Sequence, residues 1–341
     1  MGMVKKQLTA EDLAATGLRN RWYGVCPSSF VAPGALRRVT RLGEDWILFR
    51  EPDGRLHMLE DRCPHRGAPL SQGVHLGDRI QCAYHGVQVN GEGTVVSVPG
   101  MPGCNLEGKT LVPSLPLREV AGAVLAYFGD DDHPAPCELT LPDTLSDDEY
   151  SHFLAYAEWN CPWRFAVENV LDPMHGTFLH RESHTMYAGD TAAQFRIRET
   201  DTGFFFEKTT QQGVNFDWVE YAHTGIDWLR LEIPYPPTAG PGGPFGIVGL
   251  VTPLTSERCA VFFWRYRKVA GWQRDVWRFL YKTKIEERHW NVLEQDRRML
   301  EAMAPDADQA ENLYQHDLGV VRIRRLLRQQ AHKQSARVAA P

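Results

Sequence analysis

No uninterrupted apolar run in this sequence approaches the twenty or so residues that a bilayer-spanning helix needs, so no membrane partner is expected. Basic charge is also scarce: 37 Lys and Arg stand against 43 Asp and Glu, a net charge of −6, which argues against a protein organised around nucleic acid. Cysteine is sparse and odd in number, seven in 341 residues, and that is no disulfide framework. There is no Gly-rich dinucleotide fingerprint, no internal repeat and no low-complexity tract. The opening stretch MGMVKKQLTAEDLAATG is too polar for a secretory signal, so the cytoplasm is the expected location. In a reducing compartment, thiols beside histidines point to metal, which singles out Cys63 and Cys82.

What the chain does have is apolar content, 43%, enough for two domains with cores of their own. From Trp22 to about Phe128, short alternating segments such as DWILFRE, RLHMLED and GAVLAYFGD are broken by turn signals such as PDG and NGEG, predicting an all-β module. The polar, proline-bearing DDDHPAPCELTLPDTLSDDE reads as a linker. Beyond it, strand-like FRIRET, GFFFEKTT, DWLRLEI, FGIVGLVT and CAVFFWRYRKV alternate with two long helical patterns, one around residues 168–180 and one over about 272–303. The expected fold class is α+β: an antiparallel sheet packed on helices, preceded by the β-module. Expected boundaries are 20–130 and 131–341, with residues 1–19 as a helical extension. Val320, Ile323, Leu326 and Leu327 predict a docked terminal helix, and the last few residues are expected to be disordered.

Two segments carry chemistry. In CPHRGAPLSQGVHLGDRIQCAYHG, Cys63 and His65 fall in one turn, Cys82 and His85 in another. Two thiolates and two imidazoles admit a tetrahedral zinc or a two-iron cluster with one iron on cysteines and the other on histidines. Zinc sites favour paired cysteines with separate histidines, whereas here each loop supplies one of each, which suits the cluster. Gly67, Gly73, Gly86, Pro64 and Pro69 fit loops that approach sulfides closely, and His75 reads as an ordinary loop residue. The second segment, ENVLDPMHGTFLH, collects Glu168, Asn169, Asp172, His175 and His180 among apolar residues. One account makes Asp172 the N-cap of a helix beginning at Pro173. The other makes the segment half of a ferrous site, with two imidazoles, a distant carboxylate and open positions for oxygen.

The first segment resembles the cluster motif of Rieske proteins, and together with the second it resembles the α-subunit of Rieske non-heme iron oxygenases, of the phthalate- and carbazole-dioxygenase type. GLRNRWYGVCPSSF also resembles the start of those chains. The resemblance implies an N-terminal Rieske domain, a helix-grip-like catalytic domain and rings of three identical subunits. It implies a [2Fe-2S] cluster on Cys63, His65, Cys82 and His85, and a mononuclear Fe(II) on His175, His180 and a carboxylate far downstream. Asp296 is the candidate: it lies on a helix face traced through Ile285, His289, Val292, Leu293, Met299, Leu300 and Met303, where an unpaired carboxylate would be costly. His175 and His180, five apart, diverge by about 140° on an ideal helix, so a bulge, kink or helix end is expected around residues 176–179. The resemblance further implies that Asp172 bridges His175 to the neighbouring subunit's His85, and that Asn169 is a polar group beside the iron.

The expected activity is that of a terminal oxygenase that takes O2, receives NAD(P)H-derived electrons from a separate reductase, with or without a ferredoxin, and hydroxylates, dihydroxylates or demethylates a small aromatic substrate, an aromatic acid by family analogy. The alternative is a Rieske electron carrier or regulatory protein without oxygenase activity. Phe204, Phe205, Phe206, Trp218, Trp228, Phe262, Phe263 and Trp264 read as core rather than pocket, and Arg196, Arg198, Arg230 and His223 are the candidates to hold a substrate carboxylate.

Overall fold

The computed structural model describes residues 8–130, 135–182, 192–213, 216–235, 242–304 and 306–338. The expected terminal disorder concerns residues 339–341, outside that set. The chain divides into two compact units, residues 20–136 and residues 137–341 together with 1–19.

The first unit is built from short antiparallel strands: β1 (Arg21–Pro27), β2 (Leu36–Arg41), β3 (Glu44–Arg50), β4 (Leu56–Glu60), β5 (Val74–His75), β6 (Arg79–Gln81), β7 (Gln88–Asn90), β8 (Val95–Ser97), β9 (Leu117–Val120) and β10 (Ala123–Phe128). They form three sheets, ordered β1-β10-β9, β2-β3-β4 and β5-β6-β7-β8. Strand β3 shows why WILF is continuously apolar: Trp46 and Leu48 enter one core with Val25 and Phe128, while Ile47 and Phe49 enter a second with Leu70, Ile80 and Val89. A strand buried on both faces has no polar face to alternate with. The second core also takes in Cys63 and Cys82, which fixes the two thiols against packed side chains. His75 lies in a strand, not a loop; its Nε2 is 2.8 Å from the Gly77 carbonyl oxygen.

In the second unit, α1 (Ala10–Thr16) opens on a capping box formed by Thr9 and Asp12. The remaining elements are β11 (Tyr150–Trp159), α2 (Trp163–Val170), α3 (His175–Leu179), β12 (Phe195–Glu199), β13 (Gly203–Lys208), β14 (Trp218–His223), β15 (Asp227–Ile233), β16 (Phe245–Pro253), β17 (Cys259–Lys268), α4 (Gly271–Leu280), α5 (Glu286–Ala302) and α6 (Leu318–Val338). The strands form one antiparallel sheet in the order β11-β17-β16-β15-β14-β13-β12. Sequence patterning passes over β11 and β14. In β11 the inward positions include the small Ser151 and Ala155, which weaken the alternation, yet the strand pairs with β17 over its whole length. Phe204, Phe206, Phe262 and Trp264 are buried core residues.

Two corrections concern the helices. The pattern around residues 168–180 is not one helix: α2 ends at Val170 and α3 begins at His175, because Pro173 cannot donate into a continuing helix. Over residues 271–302, α4 and α5 are joined by a single π-helical stretch at Tyr281–Ile285. On α5, Leu293, Asp296 and Leu300 face inward, whereas Met299 and Met303 are exposed. Helix α6 buries Val320, Ile323, Leu327 and Ala331, and α1 packs along it. Gln334 clasps the end of α1's trailing turn, accepting from Arg19 N at 2.9 Å and donating to Arg19 O at 2.8 Å.

His289, on α5, lies against the rings of Phe245 and Tyr281, and its Nδ1 is buried without a hydrogen-bond partner. Burial, reinforced by Arg265 and Arg288, pushes its pKa down to about 3. The unfolded chain takes up this proton near pH 6.5 and the folded chain does not, so His289 contributes stability above that pH that is lost as pH falls towards 3. Urea unfolding of the intact chain at pH 7 and pH 5 is expected to show this loss, and His289→Gln to reduce it; an unchanged difference would clear His289 of the effect.

Candidate metal centres

In the first unit, the two Cys-His loops repeat one geometry. Cys63 N donates to Ala68 O at 2.8 Å and Gly67 N to Cys63 O at 2.9 Å; Cys82 N donates to Val87 O at 2.9 Å and Gly86 N to Cys82 O at 3.0 Å. Each loop thus closes on a glycine four residues after its cysteine, and both glycines sit in the left-handed region, with φ of 76° and 72°. The thiols are buried, while His65 and His85 are exposed with ring centroids 4.5 Å apart. Burial pushes the Cys63 thiol up to about 11; the N–H groups of His65 and Arg66 directed at its sulfur pull the other way, and the adjacent Cys82 adds to the rise. Donors aimed at sulfur suit a thiolate. Among the described residues these four side chains do not close within 4.8 Å on one point, as ligands of a single zinc would. Two buried sulfurs and two surface imidazoles fit a two-iron cluster spanning the space between the loops.

In the second unit, His175, His180 and Asp296 bring one ligand atom each to within 4.8 Å of one another. Asp296 Oδ1 is 3.1 Å from His180 Nε2 and 3.5 Å from His175 Nε2. Such separations are those of ligands sharing an ion at ~2.1 Å. His180 Nε2 and Asp296 Oδ1 are buried and neither has a hydrogen-bond partner, so their lone pairs converge on a shared position. That is the fit a divalent metal requires. The helix end anticipated at residues 176–179 is there: α3 stops at Leu179, and His180 lies just outside it with φ −103° and ψ 25°. Leaving the helix lets residues five apart face one point.

The neighbouring groups orient these ligands. Asp172 Oδ2 is 3.6 Å from His175 Nδ1, and its Oδ1 accepts from Met174 N at 2.9 Å. Asp172 therefore closes an Asx turn ahead of α3 instead of capping a helix that starts at Pro173. Burial opposes charge on His175, but the two carboxylates facing it, Asp172 and Asp296, prevail and push its pKa up to about 10. Burial would raise Asp296, yet the two imidazoles hold it below the usual carboxylate range. Asn169 is half-buried in the last turn of α2. Glu168 belongs to the scaffold: Arg324 of α6 donates to both its oxygens at 2.7 Å.

Sequence reasoning missed Gln295, whose Oε1 lies 2.8 Å from His180 Nδ1. Nothing in the pattern marks it, since it is the residue before Asp296 and sits about 100° round the helix. The suggested carboxylate holders are otherwise engaged: Arg196 and Arg198 pair with Glu207, Arg230 with Glu220 and His223 with Asp227.

Residues 21–116 match the Rieske [2Fe-2S] domain, and residues 159–333 match the vanillate O-demethylase oxygenase C-terminal domain. The chain belongs to the Rieske non-heme iron oxygenase α-subunits. It is 30% identical to the vanillate O-demethylase oxygenase subunit of Pseudomonas sp. (strain HR199 / DSM 7063), over 48% of this chain and 46% of that protein. It is 33% identical to the carbazole 1,9a-dioxygenase terminal oxygenase component CarAa of Metapseudomonas resinovorans, over 52% and 47%. The chain thus spans about half the length of these curated relatives. In fold, this α-subunit resembles the carbazole-bound oxygenase of an oxygenase–ferredoxin complex of carbazole 1,9a-dioxygenase, with TM-score 0.76 at 24% identity, covering 95% of this chain and 92% of the other. Dicamba monooxygenase bound to dicamba is also similar, with TM-score 0.73 at 22% identity, covering 93% and 98%.

Because His180 Nε2 faces the metal position, its proton resides on Nδ1 and is donated to Gln295 Oε1. Gln295→Leu is expected to weaken Fe(II) binding at this centre roughly 10- to 100-fold while the cluster spectrum stays unchanged. Titration of the iron-depleted protein checks this, and wild-type affinity in the variant would show that Gln295 plays no part.

Proposed function

We propose that this chain is the terminal oxygenase of a multicomponent system acting on a small aromatic substrate. In this reading the first unit is the Rieske domain, with its cluster on Cys63, His65, Cys82 and His85, and the second is the catalytic domain, with Fe(II) on His175, His180 and Asp296. The observation that carries it is the convergence of buried, unpaired His180 Nε2 and Asp296 Oδ1 beside His175 Nε2. When bound, iron held on one face by two imidazoles and a carboxylate supplies dioxygen activation at its remaining positions, with electrons delivered through the cluster.

The chain's own residues do the rest. Asp172, with Oδ2 3.6 Å from His175 Nδ1, places negative charge on that side of the ring and favours a proton there, leaving Nε2 for the metal position, and Gln295, accepting from His180 Nδ1, orients the second imidazole. Asp172 also serves as the electron bridge from His85 of the partner subunit, as the resemblance implies, in a homotrimer. Asn169 supplies a polar side chain beside the metal. Helices α2 and α5 and their apolar neighbours keep bulk water from the reacting centre. A separate reductase, with or without a ferredoxin, is the electron donor, and relatives include a structure of an oxygenase with its ferredoxin. The described residues contain no helix long and apolar enough to cross a membrane. The free thiols fit a reducing compartment, the cytoplasm.

Metal analysis of the purified chain is expected to find about three irons and two labile sulfides per polypeptide. Asp296→Asn should lose the third iron and keep the cluster chromophore. Turnover under labelled oxygen, with a compatible reductase and an aromatic panel, should place label in product or water as the reaction dictates. Two irons and cluster reduction without any product from the panel would instead identify an electron carrier.

A further inference from the structure

With the suggested surface arginines paired, another cation lies deeper. Arg265, on β17, is 3% exposed. No carboxylate of the described residues lies within ion-pair distance of it. Its Nη1 donates to Tyr281 Oη at 3.0 Å and its Nη2 to the His289 carbonyl oxygen at 3.0 Å. Its guanidinium lies 5.3 Å from the ring centroid of Trp290. These partners are neutral, and none of them balances the guanidinium's charge. Glu286, the nearby acid on α5, is already paired with Lys282 at 2.6 Å. Arg267, two residues along the strand on the same face, is also buried and adds positive potential. Burial of an uncompensated charge costs several kcal/mol in general, which makes Arg265 a site awaiting an anion.

Its position says what the anion belongs to. The carbonyl that Arg265 grips is that of His289, seven residues before Asp296 on α5. Seven residues make two turns, so both positions share one helix face, about 10.5 Å apart along the axis. Aromatic rings flank the Arg265 end: Phe245 lies 4.4 Å from His289 and 6.1 Å from Trp277 between ring centroids. A guanidinium fork with aromatic rings beside it, and a metal position two turns along the same helix face, suit a planar aromatic carboxylate held with its far end at the metal.

Resting on the oxygenase reading above, we propose that Arg265 anchors the substrate's carboxylate, which makes the substrate an aromatic acid and Arg265 the residue that selects it. Anaerobic calorimetry on the fully metallated protein tests this, using methoxy-, hydroxy- and chlorobenzoates, each against its primary amide. At least one acid should bind tenfold or more tightly than its amide. Arg265→Gln should weaken that acid roughly 100-fold and leave the amide within about twofold, while Arg265→Lys, which keeps charge but loses the fork, should fall between. Circular dichroism and thermal melts report whether each variant is folded. If neither folds, the wild-type preference alone decides. Equal binding of every acid and its amide, or a folded glutamine variant that keeps the preference, overturns the proposal. Binding is read without turnover, so the two claims separate: oxidation of neutral aromatics alone would preserve the oxygenase reading and remove the anchor.

Discussion

The second unit is organised around a cost. A carboxylate oxygen and an imidazole nitrogen are buried beside each other without forming a hydrogen bond, and such an arrangement persists only where the surrounding structure enforces it and a third body can repay it. The enforcement is visible on both sides. Pro173 separates α2 from α3, and α3 lasts five residues before releasing His180. On the other side, the π-helical stretch at Tyr281–Ile285 precedes α5. Each residue inserted this way turns the following helix by about 100° relative to uninterrupted α geometry. That turn sets Leu293, Asp296 and Leu300 inward and sends Met299 and Met303 to the surface.

The two centres solve opposite problems. In the first unit, sulfur is buried and imidazole exposed, so a cluster held by these residues would have its thiolate ligands in the core and its imidazole ligands at the surface, where an electron could leave. The loops achieve it by packing Cys63 and Cys82 into a core while their glycines at the fifth position reverse the chain. In the second unit the imidazole of His180 is wholly buried and needs a polar group behind it, which Gln295 provides. A surface histidine can leave its second nitrogen to water; a buried one cannot.

This difference explains what could be read from the sequence. Cys63, His65, Cys82 and His85 lie within one stretch, so spacing alone nearly specifies their loops. His175, His180 and Asp296 needed a helical-face argument, and it worked for Asp296 because a carboxylate among Leu293 and Leu300 has no cheap alternative. The same face argument failed for Met299 and Met303, since apolar residues on a helix can be exposed at little cost. Strand β11 was hidden because Ser151 and Ala155 are too small to announce an inward face. Gln295 and the pairing of Arg230 with Glu220 depend on which side chains meet across the fold, and local pattern carries no such information.

Charge accounting separates scaffold from site throughout the second unit. Glu168 and Arg324 are both largely buried and bind each other in a two-point fork, so neither asks for a ligand. Asp296 has two imidazoles and a shared metal position. Arg265 has a phenol, a carbonyl and an indole ring, none of them negative. Asp296 cannot serve as its counter-charge: across about 10 Å at an effective dielectric of 20, two unit charges interact by only about 1.7 kcal/mol. That is less than the several kcal/mol that burying an ion costs. The imidazoles and any bound metal also oppose the field of that carboxylate. Among the described residues Arg265 therefore remains a buried cation without a counter-charge, which is the ground on which an anionic substrate group is proposed for it.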